Sequence, residues 1–164
     1  SLLNKRAIER LAKLKDSKMK NANFSILFYD LSSLADYTKA IDRATYKILN
    51  KNLPGPFTFI LNASARIPKL FETNKKTVGI RIPDNAVALE IVKHLGHPLV
   101  TGSLHDEDAI LEYSTDPDAI FEKWNNMVDA IIDGGYGKKE PSTVVDLSGD
   151  EMVIIRQGMG ELEL

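Results

Sequence analysis

The sequence predicts an α/β domain whose single sheet mixes parallel and antiparallel strands. Short apolar runs typical of strands alternate with segments of helical spacing along most of the 164 residues. The last three predicted strands follow one another closely, which favours a mixed, twisted sheet over a pure βαβ series. A chain of this length can bury its own core, so we expect one domain over residues 1–164.

The first half of the chain is predicted to hold two helices and two strands. Asn4 can cap a helix whose apolar residues recur at helical spacing: Ala7, Ile8, Leu11 and Leu14. Residues 24–29 form a strand followed by a short serine-rich helical turn. Asp42 can cap a second helix, which must end before Pro54 because proline cannot continue it. Residues 57–61 form the next strand, with a helical turn near 68–71.

The second half alternates in the same way. A strand at 77–82 leads into a helix that Gly96 ends, as glycine often does just past a helix. Residues 98–101 are strand-like, and Asp116-Pro117 opens another helix with proline in its first turn. Further strands are predicted near 127–132, 142–147 and 152–156.

The strand at 77–82 contains the most informative pattern. Its alternation places Val78, Ile80 and Ile82 on one face, and Thr77, Gly79 and Arg81 on the other. An arginine on a strand that otherwise looks buried must meet an anion or reach solvent, because an unpaired buried charge is costly. The neighbouring glycine leaves room for a ligand or another backbone. The pattern therefore predicts a sheet face that holds something negative.

Composition excludes several classes of function. No apolar run approaches the roughly 18 residues of a membrane helix, and no secretory signal is present. The absence of cysteine excludes disulfides and thiolate chemistry and is typical of a cytoplasmic protein. Its three histidines show no metal-ligand spacing, so we predict no protein metal site. A net charge of −2 argues against binding nucleic acid through bulk positive charge. The first twenty residues are nevertheless strongly basic, as either a solvated helix face or a phosphate-facing rim.

Five further features each allow a structural and a functional interpretation. Ser103 follows a strand, where ligands gather in open α/β sheets, but it can equally be a turn serine. Thr58 points away from its aromatic neighbours, either for β-propensity or for a ligand. Arg156 ends a strand as an exposed charge or as an anion contact. Residues 133–137 lack the Walker ending and favour a flexible connection, and His105 has no identifiable catalytic partner.

In combination, five segments resemble the YrdC-like family, whose best-known members are threonylcarbamoyl-AMP synthases. The segments are 54–61, 77–85 with Arg81, 98–103, 141–146 and 155–158. The wording around Ser103-Leu104 and in 133–136 is closer to the YciO-type branch. The resemblance covers nearly the whole chain, except that the family's opening strand has no counterpart before Ser1, and that strand would carry further site residues.

The resemblance implies a twisted sheet with a positively lined, concave ligand face. That face would bind ATP, L-threonine and bicarbonate and release pyrophosphate, for N6-threonylcarbamoyl modification of tRNA, and family members are also described as binding double-stranded RNA. It implies phosphate contacts for Lys15 and Arg156, and an amino-acid and carbamoyl site at Thr58 and Arg81. Ser103, Ser142 and Thr143 would hydrogen-bond the nucleotide. Magnesium is expected with the triphosphate only if the chain is a synthase.

Two departures from the family's sequence motifs leave two functions open. Ser17 stands where an arginine is expected, with Lys18 or Lys20 as replacements, and His105 stands where an asparagine is expected. The first hypothesis is a nucleotide- and double-stranded-RNA-binding protein linked to tRNA modification and translation, without catalysis. The alternative is an active threonylcarbamoyl-AMP synthase.

Overall fold

The computed structural model describes residues 1–15, 24–68, 76–104 and 115–164. These residues group into two compact units, one formed by residues 1–101 with 142–164 and the other by residues 102–141. The first unit contains α1 (Lys5–Leu14), β1 (Ser25–Leu27), a 3-10 helix (Ser32–Asp36), α2 (Arg43–Asn52), β2 (Phe57–Asn62), β3 (Thr77–Arg81), α3 (Ala86–Leu95), β4 (Leu99–Thr101), β5 (Thr143–Asp146) and β6 (Val153–Arg156). The second unit contains α4 (Pro117–Trp124).

The strands form one sheet in the order β4-β1-β3-β2-β5-β6. Two pairs of neighbours, β1 with β3 and β2 with β5, run parallel. The pairs β1–β4, β2–β3 and β5–β6 run antiparallel. The predicted α/β class with a mixed sheet is therefore confirmed.

Local capping sets the helix ends where the sequence predicted them. The side chain of Asn4 accepts a hydrogen bond from the Ala7 amide at 3.1 Å, and Asp42 caps α2 in the same way. Gly96 ends α3 in the left-handed region with φ 72°, which glycine adopts without a steric penalty. The expected inward face of α1 was wrong in one position: Ala7 is exposed, and Ala12 is buried with Ile8.

The hydrophobic core lies against one face of the sheet. Ile26, Phe59, Ile80 and Val145 all point into it and are fully buried. Along β2, buried and half-buried residues alternate, which confirms that Thr58 points away from the aromatic residues beside it. Along β3 the apolar residues are buried as predicted, while Gly79 and Arg81 are half-buried on the other face.

Two sequence predictions require comment. The strand expected at 127–132 was wrong: the amides of Met127 and Val128 donate to the Trp124 carbonyl oxygen, so the chain continues in turns after α4. These local bonds outweigh the β-propensity of the apolar run. The helical turn expected near 68–71 falls mostly outside the described residues. In the part of the chain that is described, no helix has the length and apolar character needed to cross a membrane.

Candidate functional site on the polar face of the sheet

The face of the sheet that points away from the core carries polar side chains, and we call it the polar face. It is defined by Ser25, Thr58, Gly79, Arg81 and Ser142, all of them half-buried. The pleat explains this grouping, because residues directly opposite each other on neighbouring strands share a face. Residues of β1, β2 and β3 and the residue just before β5 therefore share this face.

Strand register also brings Arg81 and Arg156 to the same side. Thr58 lies one residue beyond the Phe59–Ile80 pair and thus opposite Arg81, while Val144 pairs with both Thr58 and Arg156. Three strand spacings separate the two arginine backbones, about 14 Å in all. The charge of Arg156 acts across this gap, because it contributes to lowering the pKa of Arg81.

Arg81 brings a buried donor, its Nε, to the polar face. Its Nε is buried and has no hydrogen-bond partner in the described part of the chain. Burial, and secondarily repulsion by the positive charge of Arg156, lower the pKa of Arg81 below its usual value. A buried donor without a partner is energetically costly. A ligand oxygen that accepted a hydrogen bond from Arg81 Nε would remove that cost.

Arg156 is exposed but held in place. Its Nη2 donates to the Ser142 carbonyl oxygen at 2.8 Å, and its Nε approaches the same oxygen at 3.3 Å. The Ser142 hydroxyl lies 3.0 Å from the Thr58 hydroxyl. Backbone and side chain of Ser142 thus link β2 to β6, and they orient Arg156 toward the polar face.

Sequence reasoning missed a second pair of hydroxyl groups on this face. Ser25 Oγ and Thr101 Oγ1 lie 3.1 Å apart across the antiparallel β1–β4 pair. Gly79 pairs with Ser25, and a Cβ built on Gly79 would lie 3.3 Å from Thr58 Cγ2 and 3.7 Å from Ser25 Cβ. The glycine therefore leaves a notch between the two hydroxyl pairs. It lies on β3, two residues before Arg81.

Thr143 lies on the opposite, core face and is fully buried. Its hydroxyl donates to the Gly160 carbonyl oxygen at 2.7 Å and accepts from the amides of Gly158 and Gly160 at 2.9 and 3.0 Å. This geometry supports a structural role, because the hydroxyl fastens the C-terminal segment to β5. It does not favour the nucleotide contact that the family resemblance implied for Thr143.

The remaining predicted residues lie elsewhere. Lys15 caps the end of α1, where its Nζ lies 5.7 Å from the centroid of the Phe24 ring, and burial lowers its pKa. Ser103 is exposed and belongs to the second unit, so its ligand role stays a prediction. Ser17, Lys18, Lys20 and His105 lie outside the described residues. Over the described ranges, no group of three or more acidic or histidine side chains could hold a metal ion.

The model of the Sua5, YciO and YrdC protein family, described as "Telomere recombination", matches residues 1–158 of the chain. The chain is 34% identical to the Escherichia coli protein YciO over 161 residues, covering 98% of this chain and 77% of that protein. It is 33% identical to a putative threonylcarbamoyl-AMP synthase of Methanocaldococcus jannaschii, covering 96% of this chain and 72% of the relative.

Solved structures give the same assignment. The crystal structure of E. coli YciO superposes with a TM-score of 0.88 at 32% identity, covering 98% of this chain and 77% of that one. The fold also matches Pyrococcus abyssi Sua5, solved with L-threonine, with a TM-score of 0.84 at 24% identity and coverage of 96% of this chain and 46% of that one. The family model over residues 1–158 and the 34% identity to YciO show that the chain belongs to the Sua5/YciO/YrdC family.

Proposed function

We propose that the polar face binds a nucleotide, ATP or AMP, and that the chain acts in the cytoplasm in threonylcarbamoyl modification of tRNA. One observation carries the proposal: Arg81 and Arg156 lie on one face of the sheet, and Arg81 has a buried Nε with no hydrogen-bond partner among the described residues. A phosphate placed between them would satisfy that donor and remove the mutual repulsion. Arginine suits this task because its planar donors match phosphate oxygens.

Phosphate recognition can be tested with the ligand alone. We expect ATP to bind at least about thirtyfold more tightly than adenosine in calorimetry, because a truncated charged contact costs about 2 kcal/mol or more. Adenosine lacks the phosphates but keeps the base and the ribose, so it is the matched control. Equal affinities would show that the guanidinium groups do not recognise the ligand.

Double-stranded RNA is the second ligand in this proposal, and α1 supplies the supporting observation. Arg6, Arg10 and Lys13 are exposed on this helix, whose other side packs on the core through Ile8. A row of cations on one helix can follow a phosphate backbone even in a protein whose net charge is −2.

The RNA proposal makes a salt-dependent prediction. The logarithm of the affinity for a short RNA duplex should fall linearly with the logarithm of the salt concentration, and Arg10→Gln should reduce the size of that slope by about one unit. Replacing Arg81 or Arg156 with alanine should weaken RNA binding further if the duplex reaches the polar face. Salt-insensitive binding, or a slope unchanged in every variant, would contradict the proposal.

An active synthase is the second candidate function. The observation that favours it is the 33% identity to a putative threonylcarbamoyl-AMP synthase along most of both chains. In the reaction, the nitrogen of L-threonine attacks the carbon of bicarbonate, a C–O bond breaks, and water leaves to give a carbamate. An oxygen of that carbamate then attacks the α-phosphorus of ATP. The bond from that phosphorus to the bridging oxygen breaks, and pyrophosphate leaves with the electron pair.

The polar face fits the needs of this chemistry. Adenylate formation requires positive charge around the α-phosphate more than a protein nucleophile, because negative charge accumulates there in the transition state. Arg81 and Arg156 would supply it, and magnesium would enter with the triphosphate as part of the substrate. The test is pyrophosphate release from ATP, bicarbonate and L-threonine. A rate that does not exceed the blank, beside a working synthase, would leave nucleotide binding without catalysis.

A further inference from the structure

A cavity of about 310 Å³ opens in the first unit and shares no residue with the polar face. Two chain segments line it. Residues 28–37 contribute three aromatic rings and Asp36, and residues 92–98 contribute Lys93, the end of α3 and His97. Its volume lies at the lower end of the range for small-molecule sites, about 300–1,000 Å³.

Two of the three aromatic rings of this cavity pack against each other. Phe28 is buried, and the ring of Tyr37 meets it edge-on with centroids 5.5 Å apart. Tyr29 lies nearer to solvent, and Lys93 Nζ stands 5.7 Å from its ring centroid. The cavity therefore offers aromatic surfaces, one of them a packed ring pair, that suit an aromatic body.

The two segments carry opposite charges. Asp36 is held by Arg66 at 3.0 Å, and Lys93 by Glu90 at 3.3 Å. All four side chains are more than half exposed, with fractions between 53% and 64%. Such surface pairs contribute little, so each charge can turn to a ligand at small cost. His97 also lines the cavity as a further polar group, with its ring nitrogens 3.3 Å from Ser1 Oγ.

We propose that this cavity binds a small aromatic zwitterion of the α-amino-acid class. Its ring would pack against Tyr29 and Tyr37, its carboxylate would meet Lys93 and its ammonium would meet Asp36. A ligand with one charge would leave one of the two segments unmatched. This site is independent of nucleotide binding on the polar face.

Ligand titrations followed by amide NMR spectra of the whole chain test the proposal. L-phenylalanine should bind about tenfold or more tightly than phenethylamine or 3-phenylpropionate, each of which lacks one charge. The shifted amides should include Tyr37, Gly96 and His97. Equal binding of either analogue, or no binding of L-phenylalanine by the folded chain, would overturn the proposal.

Variants locate the site independently of the analogues. Asp36→Asn and Lys93→Gln should each weaken L-phenylalanine binding about tenfold, because each removes one charged hydrogen bond. Asp84→Asn and Lys47→Gln change exposed residues outside the cavity and serve as matched controls. Arg81→Met should leave L-phenylalanine binding unchanged, which separates this site from the polar face. Equal losses in the control variants would contradict the assignment.

Discussion

Replacement of Arg81 by methionine should stabilise the protein while weakening nucleotide binding. Methionine keeps the long apolar stem but removes the repulsion from Arg156 and a buried donor that has no partner in the described segments. A buried unsatisfied polar group costs about 1–3 kcal/mol, so the free energy of unfolding should rise by about that amount. In a chain of this size each kcal/mol raises Tm by about 2–4 °C.

Urea unfolding and calorimetry with ATP measure the two effects on the same samples. The affinity for ATP should fall at least about thirtyfold, because a charged contact of this kind contributes about 2 kcal/mol or more. Arg43→Met is the matched control, since Arg43 is exposed on α2 and should change stability by less than about 0.5 kcal/mol. Loss of stability in Arg81→Met, or unchanged ATP affinity, would refute the reasoning.

Three further predictions test the surroundings of the site. Gly79→Ala should lower ATP affinity with little loss of stability. Adding Thr58→Ser should restore part of the ATP affinity, because serine lacks the methyl group that lies 3.3 Å from the new Cβ. Calorimetry that shows no such rescue would contradict a ligand-binding role for the notch at Gly79. Thr143→Val should lower the free energy of unfolding, since each buried group left without its partner costs about 1–3 kcal/mol. ATP affinity should stay unchanged. A large loss of ATP affinity without a loss of stability would instead support a ligand role for Thr143. A hydrogen bond from the Ser32 side chain lowers the pKa of Asp30, and one from the Thr45 amide lowers the pKa of Asp42. The stabilisation from these two carboxylates is therefore present above the unfolded pKa of 3.8 and is lost as pH falls below it. In Asp30→Asn and Asp42→Asn the free energy of unfolding should depend less on pH in that range, and an unchanged pH dependence would contradict the prediction.

Local patterns were sufficient to predict the parts of the fold that local physics decides. The period of two along β3 placed Arg81 on the face opposite the core, and short-range capping placed the ends of α2 and α3 at Asp42 and Gly96. The run after Trp124 misled because its β-propensity is opposed by hydrogen bonds back to the helix end. That competition depends on the surrounding chain as much as on the residues.

Side-chain pairings across the sheet were beyond prediction from sequence. Ser25 and Thr101 meet only because β1 pairs with β4, which joins residues 76 positions apart. The burial of Thr143 depends on how the segment through Gly160 packs over β5, and no periodicity encodes that. The placement of Arg81 and Arg156 on one face depends on the register of four strands, which the residue pattern alone did not encode.

The central claim is that one anion bridges Arg81 and Arg156 on the polar face, and a crystal structure with bound ATP tests it most directly. The account predicts a phosphate group within hydrogen-bonding distance of both guanidinium groups, with Arg81 Nε among its donors. Phosphates bound elsewhere, with both arginines unchanged, would contradict it.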